Sequence, residues 1–317
     1  MVKENAEKPE LVFVLGAGRS GTNLLTFAFD AESHDFVNLG ENRYVWTKGQ
    51  TRQSSDRRSA DDVTPDLQRY YHHYFERRKR RIGDADCILL DKTPSNAFRI
   101  PFIAAIFPEA KFIHIVRDGR DNLLSRTRQW KAQEPNEPSS SNPMSHLRGK
   151  LRFLRSRLST LILLLREGSL PPDRIPVVLK ESLLRQVLPL LNGHPVMYGE
   201  RVLGLDKLLL EEGVDAAAVV QWRESVLAAH HDGTALGQGR YLELRYERFI
   251  AEPVKQWHAV MAFLDRVPTG AGDEWLRENV KSRNSHKWLR PEESARISQV
   301  EHHLRPALEE LGYSWDG

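Results

Sequence analysis

Cysteine is almost missing from this chain: Cys87 stands alone, which rules out an intrachain disulfide and suits a reducing compartment. Long apolar runs are missing too, with none near the ~20 residues of a membrane span. The polar opening MVKENAEKPE has no signal-peptide core, so the expected setting is cytoplasmic. Charge is nearly balanced, 46 basic against 43 acidic side chains for a net +3, which excludes bulk nucleic-acid binding. No H-E-x-x-H, C-x-x-C or Asp-rich ligand set occurs, so no metal is expected. The histidine pairs His72-His73, His230-His231 and His302-His303 sit in expected helices. Adjacent residues do not share a helix face, so they read as solvated or packing groups.

What is present is an ordinary globular composition, 40% hydrophobic and 28% charged over 317 residues. Apolar runs of strand length at Leu11 to Leu15, Asp35 to Leu39, Cys87 to Leu90, Lys111 to Val116 and Arg240 to Tyr246 punctuate helical stretches. Strands alternating with helices predict an α/β fold, a parallel β-sheet flanked by helices. No repeat or linker appears, so residues 1–317 read as one domain with a tail over 1–10. Residues 131–145, rich in Pro, Ser and Asn, read as a flexible loop, and 146–235 as a largely helical insertion. The charged stretch from Pro291 to Leu311 reads as one amphipathic helix.

Ligands of such sheets bind beyond the carboxyl ends of the strands, and three strand ends carry polar clusters. After the first comes GAGRSGTNLL. Gly16, Gly18 and Gly21 spell G-x-G-x-x-G, and Glu41 lies about twenty residues on, where a dinucleotide fold places its ribose ligand. Gly16 and Gly21 also have the spacing of a nucleotide-hydrolase loop. Thr22, however, stands where that loop needs a lysine, which counts against a kinase or ATPase. Either way, a strand, turn and helix start make an anion cradle, with Arg19 adding charge and Ser20 and Thr22 adding hydroxyls. The bland alternative is a turn kept small for packing. A second cluster is Arg117, at the end of KFIHIV, with Ser125 eight residues later; together they suit a phosphate, or else form surface ion pairs. Lys92, in LLDKTPSN, is a third strand-end cation.

With GAGRSGTNLL, LLDKTPSNAFRIPFIAAIFPEAKFIHIVRDGRDNLLS, YLELRYERFIAEP, NSHKWLRPEE and the terminal LGY in this order, the chain resembles the PAPS-dependent sulfotransferases. The spacing is similar to the bacterial and Golgi-type branch that includes the protein-tyrosine sulfotransferases. The resemblance implies a P-loop-like sheet and PAPS (3′-phosphoadenosine 5′-phosphosulfate) as co-substrate. It implies that Arg19, Ser20, Gly21, Thr22 and Asn23 hold the 5′-phosphosulfate and that Arg117 and Ser125 grip the 3′-phosphate. Tyr246 would line the nucleotide, and the segment from Lys281 to Lys287, with Ser285 and Lys287, would close over it. Glu41 becomes the general base that deprotonates the attacking group, and Lys92 and Arg19 the cations that stabilise the leaving oxygen. Two departures stand out: Ala17-Gly18 where relatives often have proline, and Asn23 where they often have threonine.

The partner expected is a small-molecule, glycan or lipid acceptor in a bacterial cytoplasm. LRGKLRFLRSRLSTLILLLRE allows peripheral membrane contact, although a core-packed helix with a solvated basic face explains it as well. The run Arg77 to Arg81 either draws in anions or is a charged helix end. A nicotinamide-dependent oxidoreductase would use only the glycines and Glu41. A non-catalytic nucleotide-binding protein would need neither Glu41 nor Lys92.

Overall fold

The computed structural model describes residues 10–50, 54–83, 86–133, 170–180, 199–281 and 285–315, with the isolated positions 162, 165 and 166. Most of the segments expected as the loop 131–145 and the basic helix 147–167 lie outside the described residues, as do positions 282–284. The chain forms two compact units. One contains Met1–Glu41, Gly49–Thr127 and Gly199–Gly317; the other contains Asn42–Lys48 and Arg128–Tyr198.

In chain order the elements are β1 (Glu10–Leu15), α1 (Thr22–Glu32), β2 (Phe36–Asn38), α2 (Arg43–Trp46), α3 (Pro65–Ile82), β3 (Ile88–Asp91), α4 (Ile100–Ile106), β4 (Lys111–Val116) and α5 (Gly119–Gln133). Then come α6 (Leu205–Thr234), β5 (Tyr241–Arg245), α7 (Tyr246–Ala251), α8 (Pro253–Phe263), α9 (Ala271–Asn279), α10 (Pro291–Gln299) and α11 (Glu301–Glu310). The expected single C-terminal helix is thus two, because Val300 leaves helical geometry at φ −112°. Helices α7 and α9 have no counterpart among the predicted elements. Helix α6 belongs to the sheet-bearing unit, and Gly213 interrupts it with φ 86° and ψ −174°.

Among the described residues the five strands form one parallel sheet, in the order β2-β3-β1-β4-β5. The chain starts in the centre at β1, goes out to the edge strand β2, returns to β3 between them, then crosses to β4 and β5 on the other side. The order reverses between β1 and β4, and in such sheets ligands bind outside the carboxyl ends of the strands at that point. Alternation along the strands separates two cores. Val12, Val14, Ile113, Ile115 and Leu244 face α1, α8 and α9 through Phe29, Trp257, Val260 and Leu276. On the other face Phe13 stacks on Phe112 with centroids 5.3 Å apart, and Phe75 of α3 meets Phe13 edge-on.

That second face also buries ionisable groups. His114 is fully buried, with Nδ1 2.7 Å from the Tyr241 hydroxyl, which donates to Glu243 Oε2 at 2.9 Å. Burial pushes the His114 imidazole below its ordinary range, although the Glu243 carboxylate works against this. Folded His114 therefore stays neutral where an unfolded histidine takes a proton, and stability falls as pH drops below about 6.5. His114→Gln is expected to flatten the fall in Tm between pH 7 and 5. An unchanged slope would remove His114 as its source.

Candidate active site

The turn from Gly16 to Gly21 is shaped by what happens to its carbonyls. Ala17 O accepts the Ser20 N–H at 3.0 Å, and Gly18 O accepts Arg126 Nη2 at 2.9 Å and Asn122 Nδ2 at 3.0 Å. Arg19 O accepts Arg117 Nη1 at 3.1 Å. Negative carbonyl ends are thereby drawn into the protein. The N–H groups of Arg19, Gly21, Thr22 and Asn23 meet no acceptor among the described residues. Arg19 has the left-handed φ of 74°, which turns successive N–H groups to one side, and α1 adds its N-terminal dipole. The Ser20 side chain is buried and accepts Asn122 Nδ2 at 3.2 Å, so it supports the turn, whereas Asn23 is exposed.

Gly21 is the glycine this geometry requires. Its φ is 101°, and a Cβ there would lie 2.5 Å from the Tyr246 ring. Strain of this kind costs on the order of 1–3 kcal/mol. Gly21→Ala is expected to lower Tm and to weaken binding of adenosine 3′,5′-bisphosphate about tenfold; unchanged affinity in a titration would show that the turn tolerates a side chain.

The second cluster lies directly beside the first. Arg19 Nε donates to Ser125 Oγ at 3.2 Å, so the residues expected at the two ends of the nucleotide share a hydrogen bond. Arg117 stacks over the Tyr246 ring, 4.5 Å from its centroid, and its carbonyl accepts the Trp222 indole N–H at 3.1 Å. Burial, then the neighbouring cations Arg117 and Arg126, lower the Arg19 pKa from its ordinary value. A guanidinium remains charged nonetheless, so the cluster holds positive potential that an anion would relieve. Burial likewise raises the Tyr246 phenol.

The late segment is anchored by Asp121, whose carboxylate accepts the His286 N–H at 2.6 Å and the Lys287 N–H at 2.8 Å. Trp288 lies over Arg120, 3.4 Å from the guanidinium carbon. Ser285 and Lys287 are therefore held near the start of α5, which follows Arg117. At the other side of the sheet, Lys92 Nζ donates to Glu41 Oε1 at 2.7 Å. The pairing of β2 with β3 brings them together, since Leu39 N–H bonds Leu90 O and Lys92 N–H bonds Gly40 O. Lys92 is nearly buried, while the Glu41 side chain is 55% exposed and open to an incoming group.

Asn122, Arg126, Glu200, Gln221 and Asp121 take part in this architecture but were not read from the sequence. Asn122 and Arg126 carried a signal, being four apart on the helix that bears Ser125. Glu200 and Gln221 carried none: Glu200 reaches Gly18 from 182 residues away, and Gln221 reaches Arg126 from 95 residues away. Away from this region, His302 and His303 both reach Glu212 Oε2, at 3.4 and 2.8 Å, and the three lie within metal-ligand spacing of one another. Helical periodicity had set these adjacent histidines apart; the start of α11 brings both to α6. No helix among the described residues is long and apolar enough to cross a membrane.

A parallel sheet whose switch point carries a turn with its Ala17, Gly18 and Arg19 carbonyls hydrogen-bonded, beside clustered arginines, has the features of an anion-binding α/β protein. A profile described as the sulfotransferase family matches residues 9–188, and the chain belongs to that family. It is 30% identical over 134 residues to protein-tyrosine sulfotransferase 1 of Danio rerio, a match covering 38% of this chain and 36% of that protein. Among solved structures it is similar to the sulfotransferase domain of the Synechococcus PCC 7002 olefin synthase. That likeness has 17% identity, covers 97% of this chain and 96% of that one, and has a TM-score of 0.48. A mouse sulfotransferase, SULT7A1, complexed with PAP is similar at 12% identity, with 94% and 85% coverage and a TM-score of 0.45. Family membership sets aside the oxidoreductase that the three glycines alone allow.

Proposed function

We propose that this protein transfers a sulfuryl group from PAPS to a hydroxyl or amine of an acceptor, releasing adenosine 3′,5′-bisphosphate. The observation that carries the reading is the hydrogen bond between Arg19 and Ser125, with Arg117 on the Arg19 carbonyl. It sets two clusters of anion-binding side chains next to each other at the β1/β4 switch point, which suits a nucleotide with phosphates at both 5′ and 3′ positions. Arg19, Gly21, Thr22 and Asn23 offer N–H donors to the phosphosulfate, and Ser20 supports the turn. Arg117 and Ser125 take the 3′-phosphate, Tyr246 flanks the nucleotide, and Ser285 and Lys287 close over it.

Glu41 acts as the general base for in-line attack on sulfur, taking the acceptor proton as the new S–O or S–N bond forms. The electron pair of the breaking S–O bond goes to the bridging oxygen, where Lys92 and Arg19 stabilise the charge. The 2.7 Å Glu41–Lys92 hydrogen bond supports this division of labour, because it places a carboxylate and an ammonium side by side at neighbouring strand ends. The acceptor is a small molecule, glycan or lipid, and the setting a reducing, cytoplasmic one, in keeping with a single, buried cysteine, Cys87.

Isothermal titration with adenosine 3′,5′-bisphosphate against NAD tests the nucleotide assignment; tighter NAD binding would overturn it. A screen of acceptor classes with 35S-labelled PAPS then identifies the second substrate.

A further inference from the structure

A buried ion pair outside the residues assigned above grips the middle of the turn. Arg126 and Glu200 are 2% and 1% exposed at their side chains and lie 3.0 Å apart. Glu200 Oε1 accepts the Gly18 N–H at 2.6 Å, while Arg126 Nη2 donates to the Gly18 carbonyl at 2.9 Å. Both polar groups of one turn residue are thus held by the two halves of one ion pair. Gln221 completes the arrangement, accepting from Arg126 and donating to the Glu200 carbonyl at 2.6 Å. Asn122 bridges Arg126 Nε and the Gly18 carbonyl.

The placement of a carboxylate here is unexpected on electrostatic grounds. A negative group beside a phosphate-binding turn opposes its ligand unless something offsets it. Arg126 offsets the charge of Glu200, and what remains is geometry. Glu200 withdraws the Gly18 N–H from the ligand and Arg126 withdraws the Gly18 carbonyl. The N–H groups of Arg19 and Gly21 to Asn23 are left without an acceptor among the described residues.

We propose that Arg126 and Glu200 are a positioning pair that holds the Gly18 peptide so that the turn presents its N–H groups to the 5′-phosphosulfate. Their effect falls on the 5′ end of the nucleotide and leaves the 3′-phosphate grip of Arg117 and Ser125 alone. The inference rests on the PAPS reading above, and the two can fail separately. The same pair also marks where the chain leaves the sheet-bearing unit, after Thr127, and where it returns, at Gly199.

The test compares two nucleotides, adenosine 3′,5′-bisphosphate and adenosine 3′-monophosphate, by isothermal titration. Removing one partner of a buried pair leaves a charge uncompensated, and such a variant can fail to fold. The informative variant is therefore the double replacement Arg126→Met with Glu200→Met, since apolar side chains of similar volume often replace buried pairs without loss of stability. Thermal unfolding of this variant near the wild-type Tm is expected. Its affinity for the bisphosphate should fall about tenfold, equivalent to ~1.4 kcal/mol, with that for the 3′-monophosphate within about twofold of wild type. Glu200→Gln, which keeps an acceptor for Gly18 but loses the ion pair, should shift the same ratio in the same direction by less. Unchanged affinity for both nucleotides, or an equal loss for both, would overturn the proposal and leave the pair a structural one. Wild-type protein that binds neither nucleotide would instead overturn the PAPS reading itself.

Discussion

Glu41→Ala lowers sulfuryl transfer by about 100- to 10,000-fold, the usual range for losing a general base, while adenosine 3′,5′-bisphosphate binds at least as tightly as to wild type. The direction of the second effect follows from the pairing. In the free protein, Lys92 is engaged by Glu41 at 2.7 Å, so removing the carboxylate releases a nearly buried ammonium for the nucleotide. A mutation that merely loosened the site would weaken binding and turnover together. Single-turnover transfer of 35S from PAPS to the acceptor found by screening, beside titration of the bisphosphate, separates the two. Turnover within about tenfold of wild type would remove Glu41 from the role of base, since base removal costs more than that.

The parts of this protein readable from sequence are those in which local chemistry and position coincide. Leu11 to Leu15 and Lys111 to Val116 are apolar runs too short for helices and are buried strands. The places of Arg19 and Arg117 were legible, because a short buried strand sets the residues that follow it at the carboxyl edge of the sheet. The break at Val300 was not legible, since the charged pattern of 291–311 continues through it and only backbone geometry divides it. Asp121 reads as a helix N-terminal acid, a common placement that hides its grip on the His286 and Lys287 N–H groups. Glu200 is the extreme case. A carboxylate after a long insertion gives no sign that its partners are Gly18 and Arg126, because the fold alone brings them together.

Arg117→Ala is expected to weaken adenosine 3′,5′-bisphosphate by about 30-fold, close to ~2 kcal/mol for a charge-assisted hydrogen bond in a partly buried site. Adenosine 5′-phosphosulfate, which lacks the 3′-phosphate, should bind the variant nearly as it binds wild type. The reason lies in what else Arg117 touches. Its Nη1 donates to the Arg19 carbonyl, and its guanidinium lies over Tyr246. Losing it also frees one carbonyl of the turn, so a modest effect at the 5′ end accompanies the large one at the 3′ end. Arg117→Lys sharpens the reading. A lysine restores charge, but one ammonium cannot serve both the Arg19 carbonyl and a phosphate in the planar fork that a guanidinium provides. It should recover only part of the affinity. Titrating both nucleotides against wild type and both variants gives the ratio that decides the assignment. If the 5′-phosphosulfate lost as much affinity as the bisphosphate, Arg117 would be a support of the turn, and the 3′-phosphate would be held elsewhere.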